Sequence, residues 1–218
     1  PMLNRYPDGD CFYLRKELSR ILRVDSKQLI FGNGSDEIIV FVARAFLKKG
    51  DEVIVAQPSF LIYDIASKLE GADVIAVPIK DFNYDLRKMK KAVNSKTRII
   101  FLGNPDNPAG SYFSQQEFER FIHDIPKDIL IFCDEAYYEY VQAKDYVDSI
   151  ALLKKYNNLF VTRTFSKMYG LAGLRIGYGV GSKELVDIFN RVREPFNVNS
   201  LAQVAAFSTT QVAGFSNS

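Results

Sequence analysis

The sequence predicts an α/β protein of three layers, in which a mostly parallel central sheet is covered by helices on both faces. Two observations support this prediction. Short apolar runs of strand length alternate with longer segments of helical apolar spacing over most of the chain. Glycine, proline and asparagine cluster where the two kinds of segment meet. Strands that alternate with helices usually form parallel sheets, because a helix can carry the chain back to the same edge.

The elements follow in chain order from the same two signals. The predicted strands are 28–31, 52–56, 73–77, 98–102, 129–133, 159–162 and 174–180, and the predicted helices are 12–22, 38–48, 61–69, 86–93, 115–123, 149–155, 183–192 and 200–209. We expect Ser35 to cap the second helix, and Gly177 and Gly179 to mark backbone that another group approaches closely. We assign residues 1–30 to an N-terminal arm and helix, and residues 31–218 to one larger domain.

Composition excludes several classes of function. The chain has 47% hydrophobic and 25% charged residues, as ordinary globular domains do. Its 28 Lys and Arg against 26 Asp and Glu leave a net charge of +2, so we expect no nucleic-acid partner. No apolar run approaches the ~20 residues of a membrane span. Cys11 and Cys133 are far apart, which favours buried free thiols in a reducing compartment. We expect a cytoplasmic protein without metal or membrane partners.

In open parallel sheets, ligands bind beyond the carboxyl ends of the strands, so the loops there are the candidates for a site. The turn 32–37 lacks the third glycine of a dinucleotide-binding loop, since Glu37 occupies that position. It is either a simple helix cap or a phosphate site at a helix N-terminus. The proline-rich loop 103–110 is either a stiff turn or a rigid holder for Asn107. Asp134 follows an apolar strand as a cap, a salt-bridge partner or a ligand-facing acid.

Lys167 lies among hydroxyls and glycines between two apolar runs. A lysine in a loop is usually solvated, but one placed in a cleft can lose its proton and attack a carbonyl carbon. Both interpretations are open from this segment alone.

Four motifs together resemble the pyridoxal-phosphate-dependent aminotransferases of the aspartate aminotransferase fold. They are, in chain order, Asn104-Pro105-x-Asn107-Pro108-x-Gly110, Asp134-Glu135-Ala136-Tyr137, Thr164-x-Ser166-Lys167 and Arg175. Within that family, the segments 4–7, 32–37, 171–175 and 195–200 are most similar to histidinol-phosphate aminotransferases. The resemblance implies the large cofactor-binding domain of that fold. It also implies a small C-terminal domain that these 218 residues lack, so we expect a truncated chain.

The resemblance implies a role for each matching residue. Lys167 would form a Schiff base with pyridoxal 5'-phosphate and later shuttle a proton, and Asp134 would face the ring nitrogen. Asn107 and Tyr137 would bind the cofactor's phenolic oxygen. Phe60 would stack on the ring, although a core position is an equal alternative.

The implied phosphate site combines backbone and side-chain donors. It consists of the N–H groups of Ser35 and Asp36, the hydroxyls of Thr164 and Ser166, and the guanidinium of Arg175. We expect the carboxylates of Asp36 and Glu37 to point away from it. Tyr6 would reach the phosphate from a partner subunit, which implies a homodimer.

The implied activity is transamination of histidinol phosphate with 2-oxoglutarate, impaired in a truncated chain. Two alternatives are open. One is another enzyme on the same scaffold, such as an aromatic aminotransferase or a phosphothreonine decarboxylase. The other is a non-catalytic domain that binds pyridoxal phosphate.

Overall fold

A computed structural model of the chain describes residues 4–211. Among these residues one sheet has the strand order β1-β7-β6-β5-β4-β2-β3. The strands are β1 Leu29–Gly32, β2 Glu52–Gln57, β3 Asp73–Pro78, β4 Thr97–Gly103, β5 Leu130–Asp134, β6 Leu159–Thr164 and β7 Gly177–Val180. The α-helices are α1 Phe12–Leu22, α2 Ser35–Phe46, α3 Leu61–Leu69, α4 Leu86–Ala92, α5 Gln115–Asp124, α6 Ser149–Leu152, α7 Lys183–Asn190 and α8 Ser200–Thr210.

The directions of the strands bring several of their carboxyl ends to one edge of the sheet. Strands β2, β3, β4, β5 and β6 pair in parallel, whereas β7 is antiparallel to both of its neighbours, β1 and β6. The carboxyl ends of β1, β2, β4, β5 and β6 therefore meet the amino end of β7. We call this side of the sheet the site edge. The predicted mostly parallel sheet is confirmed.

Helices cover both faces of the sheet, as predicted. Helices α2, α3 and α7 contribute Ile38, Tyr63 and Phe189 to an apolar core on one face. Helices α1, α4, α5, α6 and α8 pack against the other face through a larger core that includes Leu14 and Phe118. Side chains alternate between the faces along each strand, so both cores reach every central strand.

Three expectations about local structure were wrong. Strand β7 begins at Gly177 rather than at 174, because Ala172–Leu174 form a 3₁₀ helix and Arg175 has a left-handed backbone with φ 58°. Helix α6 ends at Leu152 rather than at 155. Gly34, not Ser35, is the N-cap of α2, because its φ of 84° is accessible to glycine at little cost.

The close approach expected at two glycines is confirmed. A Cβ atom on Gly177 would lie 2.6 Å from the backbone nitrogen of Ser35, and one on Gly179 would lie 2.3 Å from the Phe160 ring. Glycine at position 177 therefore lets the N-terminus of α2 pack directly on β7.

Both cysteines are buried and unpaired, as predicted. Within residues 4–211 no helix is long and apolar enough to cross a membrane. The boundary between residues 1–30 and residues 31–218 stays a prediction, and residues 1–3 and 212–218 lie outside the described part of the chain.

Candidate functional site

A cavity of about 280 Å³ lies at the site edge, between the loops that follow five strands and the segment before β7. Every site residue predicted from the sequence lines it except Tyr6: Ser35, Asp36, Phe60, Asn107, Asp134, Tyr137, Thr164, Ser166, Lys167 and Arg175. Residues to which the sequence analysis assigned no role complete the lining: Tyr63, Gly103, Pro105, Ala136 and Ala172. Residues up to 140 positions apart in sequence thus share one small space, since all of them follow or precede strand ends at the same edge.

Asp134 ends β5 and is 5% exposed. Its Oδ2 accepts a hydrogen bond of 2.9 Å from the hydroxyl of Tyr63, and its Oδ1 accepts one of 3.3 Å from the hydroxyl of Thr162. Burial raises the pKa of this carboxyl to about 6, although both hydroxyls favour the charged form. In the described part of the chain no Lys, Arg or His nitrogen lies within 4.0 Å of it. Asp134 is therefore a buried acid able to accept a cationic N–H.

The amine of Lys167 lies in the loop that follows β6. Its Nζ is 5.3 Å from the centroid of the Tyr137 ring, and the Lys167 carbonyl accepts a hydrogen bond from the N–H of Gly170. Gly170 has a φ of 66°, which closes this turn tightly. The cavity thus holds an amine, a phenol and a carboxyl group from consecutive strand ends.

Hydrogen-bond donors that suit an anion lie where α2 begins. The N–H groups of Ser35 and Asp36 have no acceptor within the helix, because they belong to its first turn. Arg175 Nη2 lies 3.2 Å from Asp36 Oδ2, and a Cβ on Gly34 would come within 2.5 Å of the same nitrogen. The Ser166 and Thr164 hydroxyls complete the lining here. Free N–H groups, hydroxyls and a guanidinium around a helix N-terminus suit a phosphate group.

The expected orientation of the two acids in this turn is right for one and wrong for the other. Glu37 points away, since its Oε2 accepts hydrogen bonds from the N–H of Asn33 at 2.7 Å and from Asn197 Nδ2 at 2.6 Å. Asp36 instead lines the cavity and pairs with Arg175. The pair compensates a guanidinium whose side chain is 43% exposed.

The loop that carries Asn107 is held by hydrogen bonds that sequence reasoning missed. The Tyr84 hydroxyl donates to Asp106 Oδ1 at 2.6 Å, and the N–H of Ala109 donates to Asp106 Oδ2 at 2.9 Å. Asn104 Oδ1 accepts from the N–H of Phe113 at 2.8 Å. Buried polar contacts as well as prolines therefore make this loop rigid.

Tyr63 is a lining residue that sequence analysis missed, and its spacing from Phe60 could have indicated it. The Phe60 ring is half-buried and meets Tyr63 edge-on, with 5.6 Å between centroids. Residues three apart at a helix N-terminus lie on one face, so Tyr63 could have been inferred as a neighbour of Phe60. Its bond to Asp134 could not, because 71 residues separate them.

Tyr6 lies outside the cavity of its own chain. Its side chain is 83% exposed and stacks on Phe196, with ring centroids 5.0 Å apart. An exposed aromatic pair of this kind is available to another surface.

The chain belongs to the aminotransferase class I and II family, whose sequence profile matches residues 1–216. Within that family it is similar to histidinol-phosphate aminotransferase 2 of Hydrogenovibrio crunogenus, at 48% identity over 204 residues, which cover 94% of this chain and 55% of that protein. It is also 48% identical over 201 residues to histidinol-phosphate aminotransferase of Brevibacillus brevis, with 92% of this chain and 55% of that protein covered. The chain thus spans about half the length of these relatives.

Solved structures of similar proteins also match nearly the whole of this chain. Histidinol-phosphate aminotransferase from Sinorhizobium meliloti, in complex with pyridoxal-5'-phosphate, matches 99% of this chain and 58% of that chain with a TM-score of 0.93 and 27% identity. L-threonine-O-3-phosphate decarboxylase from Porphyromonas gingivalis matches 96% and 64% with a TM-score of 0.84 and 29% identity. The three-layer fold is that of these proteins.

Proposed function

We propose that this chain binds pyridoxal 5'-phosphate in the cavity and serves the transamination of histidinol phosphate with 2-oxoglutarate. The observation that carries the proposal is the composition of the cavity wall. One space of about 280 Å³ joins the amine of Lys167, the buried carboxyl group of Asp134 and the N–H groups at the start of α2.

The residues fit the cofactor group by group. An aldehyde needs an amine, which Lys167 offers, and a protonated ring nitrogen needs a buried carboxylate, which Asp134 offers. A phosphate dianion needs N–H donors and a guanidinium, which Ser35, Asp36 and Arg175 offer. Arg175 would exchange its bond with Asp36 for one with the phosphate, since both oxygen groups compete for the same nitrogen.

When bound, the cofactor supplies an electron-withdrawing pyridine ring that stabilises the electron pair released at the substrate's α-carbon. The remaining roles belong to this chain. Asp134 accepts a hydrogen bond from the ring N–H and keeps that proton in place. Lys167 would hold the cofactor at its aldehyde carbon through Nζ, with loss of water, and once a substrate amine had replaced it there, its amine would move the proton at the α-carbon. Asn107 and Tyr137 bind the phenolic oxygen, and Phe60 covers one face of the ring.

The choice of substrate rests on the relatives. Identity of 48% to two histidinol-phosphate aminotransferases over more than nine-tenths of this chain supports histidinol phosphate as the amino donor. Because the chain spans about half of their length, the activity applies to a protein that has the remaining segments as well.

We also propose a homodimer, in which Tyr6 of one subunit reaches the phosphate in the other. The exposed Tyr6 ring, which does not line its own cavity, supports this arrangement. A cytoplasmic location is supported by two buried thiols that remain unpaired, since disulfides are rare there.

Reductive trapping tests the cofactor proposal directly. The chain is mixed with pyridoxal phosphate, followed by visible absorbance, reduced with borohydride and mapped by peptide mass. We expect the label on Lys167, its loss in Lys167→Ala, and no change in the control Lys27→Ala, which lies outside the cavity. A label on another lysine would overturn the site.

A turnover assay tests the reaction. Glutamate formed from 2-oxoglutarate and histidinol phosphate supports transamination. The 29% identity to the Porphyromonas gingivalis decarboxylase favours a second candidate, decarboxylation of a phosphorylated amino acid. Release of carbon dioxide from phosphothreonine without amino transfer would select that candidate. Cofactor binding without either reaction would indicate a non-catalytic domain.

A further inference from the structure

A buried ion pair lies directly behind the cavity. Asp134, Thr162 and Thr164 face the α2 and α3 side of the sheet, where Asp134 and Thr164 line the cavity. Because side chains alternate along extended backbone, their neighbours Glu135 and Arg163 project from the opposite face. We call the first side the cavity face and the second the ion-pair face.

The contacts on the ion-pair face are close and buried. Arg163 Nε donates a hydrogen bond of 2.8 Å to Glu135 Oε2, and the guanidinium carbon lies 3.3 Å from the centroid of the Tyr138 ring. Glu135 is 0% exposed and Arg163 is 5% exposed. The Glu135 N–H also continues the β5–β6 ladder, with a bond of 2.8 Å to the Thr162 carbonyl.

Stability alone does not account for this pair. Taking two charges out of water costs about as much as their attraction returns, and apolar residues of similar volume often fold as well or better. Burial raises the pKa of Glu135 although Arg163 and the Ser149 hydroxyl both favour its charged form, so the pair does not fully offset the cost of its own burial. Unlike an apolar pair, an ion pair fixes the direction and the distance between the two chain segments.

Each member of the pair and its stacking partner is the chain neighbour of a cavity residue. Glu135 adjoins Asp134, Tyr138 adjoins Tyr137, and Arg163 adjoins Thr164. A displacement of one segment by about 1 Å is enough to cost a reaction or a binding site on the order of 100-fold. The three segments meet at Arg163, so its guanidinium is placed to hold their separations.

We propose that Glu135 and Arg163 are positioning residues, which hold the ends of β5 and β6 at the spacing that lets Asp134, Tyr137 and Lys167 bind one ligand. The proposal rests on the proposed function only in the use of pyridoxal phosphate as the probe. Neither side chain touches the ligand.

The main experiment separates positioning from stability. The single variant Glu135→Gln leaves a buried guanidinium without its charge partner, so we expect the folding equilibrium constant to fall about 100-fold or more. The double variant Glu135→Met with Arg163→Met removes both charges, and we expect stability within about tenfold of the original chain. Urea unfolding of the ligand-free chain measures both.

The affinity for pyridoxal phosphate is a readout that a purely structural role would leave unchanged. In the double variant we expect the dissociation constant for pyridoxal phosphate, measured by absorbance, to rise at least tenfold although stability is recovered. Original stability together with original affinity would overturn the proposal. Arg163→Lys keeps the charge and the fold but not the planar fork, and we expect a severalfold rise there. An unchanged dissociation constant in Arg163→Lys would also contradict it.

A second readout needs no ligand. Amide hydrogen exchange of the Glu135 N–H reports on the site edge, whereas the Ile131 N–H, bonded to the Asn158 carbonyl at 2.8 Å, reports on the far end of the same strand. We expect exchange about tenfold faster at Glu135 in the double variant and unchanged exchange at Ile131. Equal exchange at Glu135 in both proteins would overturn positioning. Failure of the original chain to bind pyridoxal phosphate would refute the proposed function and leave this readout intact.

Discussion

Asp134 and Glu135 are consecutive acids that lie on opposite faces of the sheet, and their carboxyl groups have different partners there. Both are buried, and burial raises the pKa of both carboxyl groups. On the ion-pair face Glu135 has the guanidinium of Arg163 as its partner. On the cavity face Asp134 has two neutral hydroxyls, from Tyr63 and Thr162.

The difference separates a carboxyl group that has a charge partner within the described residues from one that has only hydrogen-bond donors without charge, which is the group that the proposed function assigns to a ligand. A buried carboxylate without a cation is unfavourable, and natural proteins keep such groups mainly at functional sites. Under the proposed function, a cationic N–H of the ligand would relieve the energetic cost at Asp134, whereas Glu135 has Arg163 as its charge partner within the chain. The predictions below test this contrast, in order of decreasing effect.

The largest effect is expected from Asp134→Asn. The amide has nearly the same size, so the fold is retained, but it cannot hold the proton on the cofactor's ring nitrogen. Amino transfer in the complete protein should fall about 10²–10³-fold in kcat, the usual loss when a preorganised charge is removed. Asp64→Asn, which breaks only an ion pair with Lys68 on α3, is the control. A loss of less than tenfold would remove Asp134 from the mechanism.

The pH dependence of stability should expose the same group in the ligand-free chain. Because the folded-state pKa of Asp134 lies above its ordinary value of 3.8, the stability that this group contributes is fully present below about pH 4 and is lost as the pH rises through about 6. The loss is roughly 3 kcal/mol. Urea unfolding of the original chain and of Asp134→Asn between pH 4 and pH 7 measures it as a difference. A difference that stays constant with pH would contradict the contrast.

Gly177→Ala tests the close packing of α2 against β7 at the end of the cavity where we propose that the phosphate binds. The new Cβ would lie 2.6 Å from the Ser35 nitrogen and push α2 away from β7. We expect a loss of about 2 kcal/mol in the free energy of unfolding, as for other overpacked sites, and weaker pyridoxal phosphate binding. Gly173→Ala, where nothing lies within 4 Å of the new Cβ, should leave both values unchanged.

Tyr63→Phe should give the smallest change. It removes one of the two hydroxyls that favour the charged form of Asp134, so the pKa of Asp134 rises further. A neutral hydrogen bond is worth about 1 kcal/mol, so the pH-dependent loss of stability should move upward by up to about one pH unit. Tyr13→Phe removes an exposed hydroxyl from α1 and should move nothing. No shift in Tyr63→Phe would mean that the Thr162 hydroxyl and the Ala136 N–H are enough to stabilise the charged form of Asp134.

The elements that the sequence predicted well share a physical feature. Strands such as β4 and β5 are continuous apolar runs between turn residues, and helices such as α1 and α3 have clear apolar spacing. The errors occur where local propensity was overruled. The segment before β7 was predicted as strand, but Arg175 adopts a left-handed backbone that places its guanidinium at the start of α2.

The cavity lining was predictable for a related reason. Its polar residues follow strand ends, and parallel strands bring their carboxyl ends to one edge whatever the details of packing. The residues that hold this lining in place were not predictable. Tyr63, Tyr84 and Arg163 each act through a partner that is 19 or more residues away, and each sits in a segment of ordinary composition.

By itself the sequence determined the layered α/β architecture and the position of the chemically active loops. Both depend on apolar periodicity and on turn residues, which are local properties of the chain. Only the tertiary structure decided that β7 runs antiparallel to its neighbours and that, within residues 4–211, Glu135 pairs with Arg163 while Asp134 has no cationic partner. The partner of a buried charge is set by the pairing of β5 with β6, between residues 28 positions apart in the chain, and no local pattern encodes that pairing.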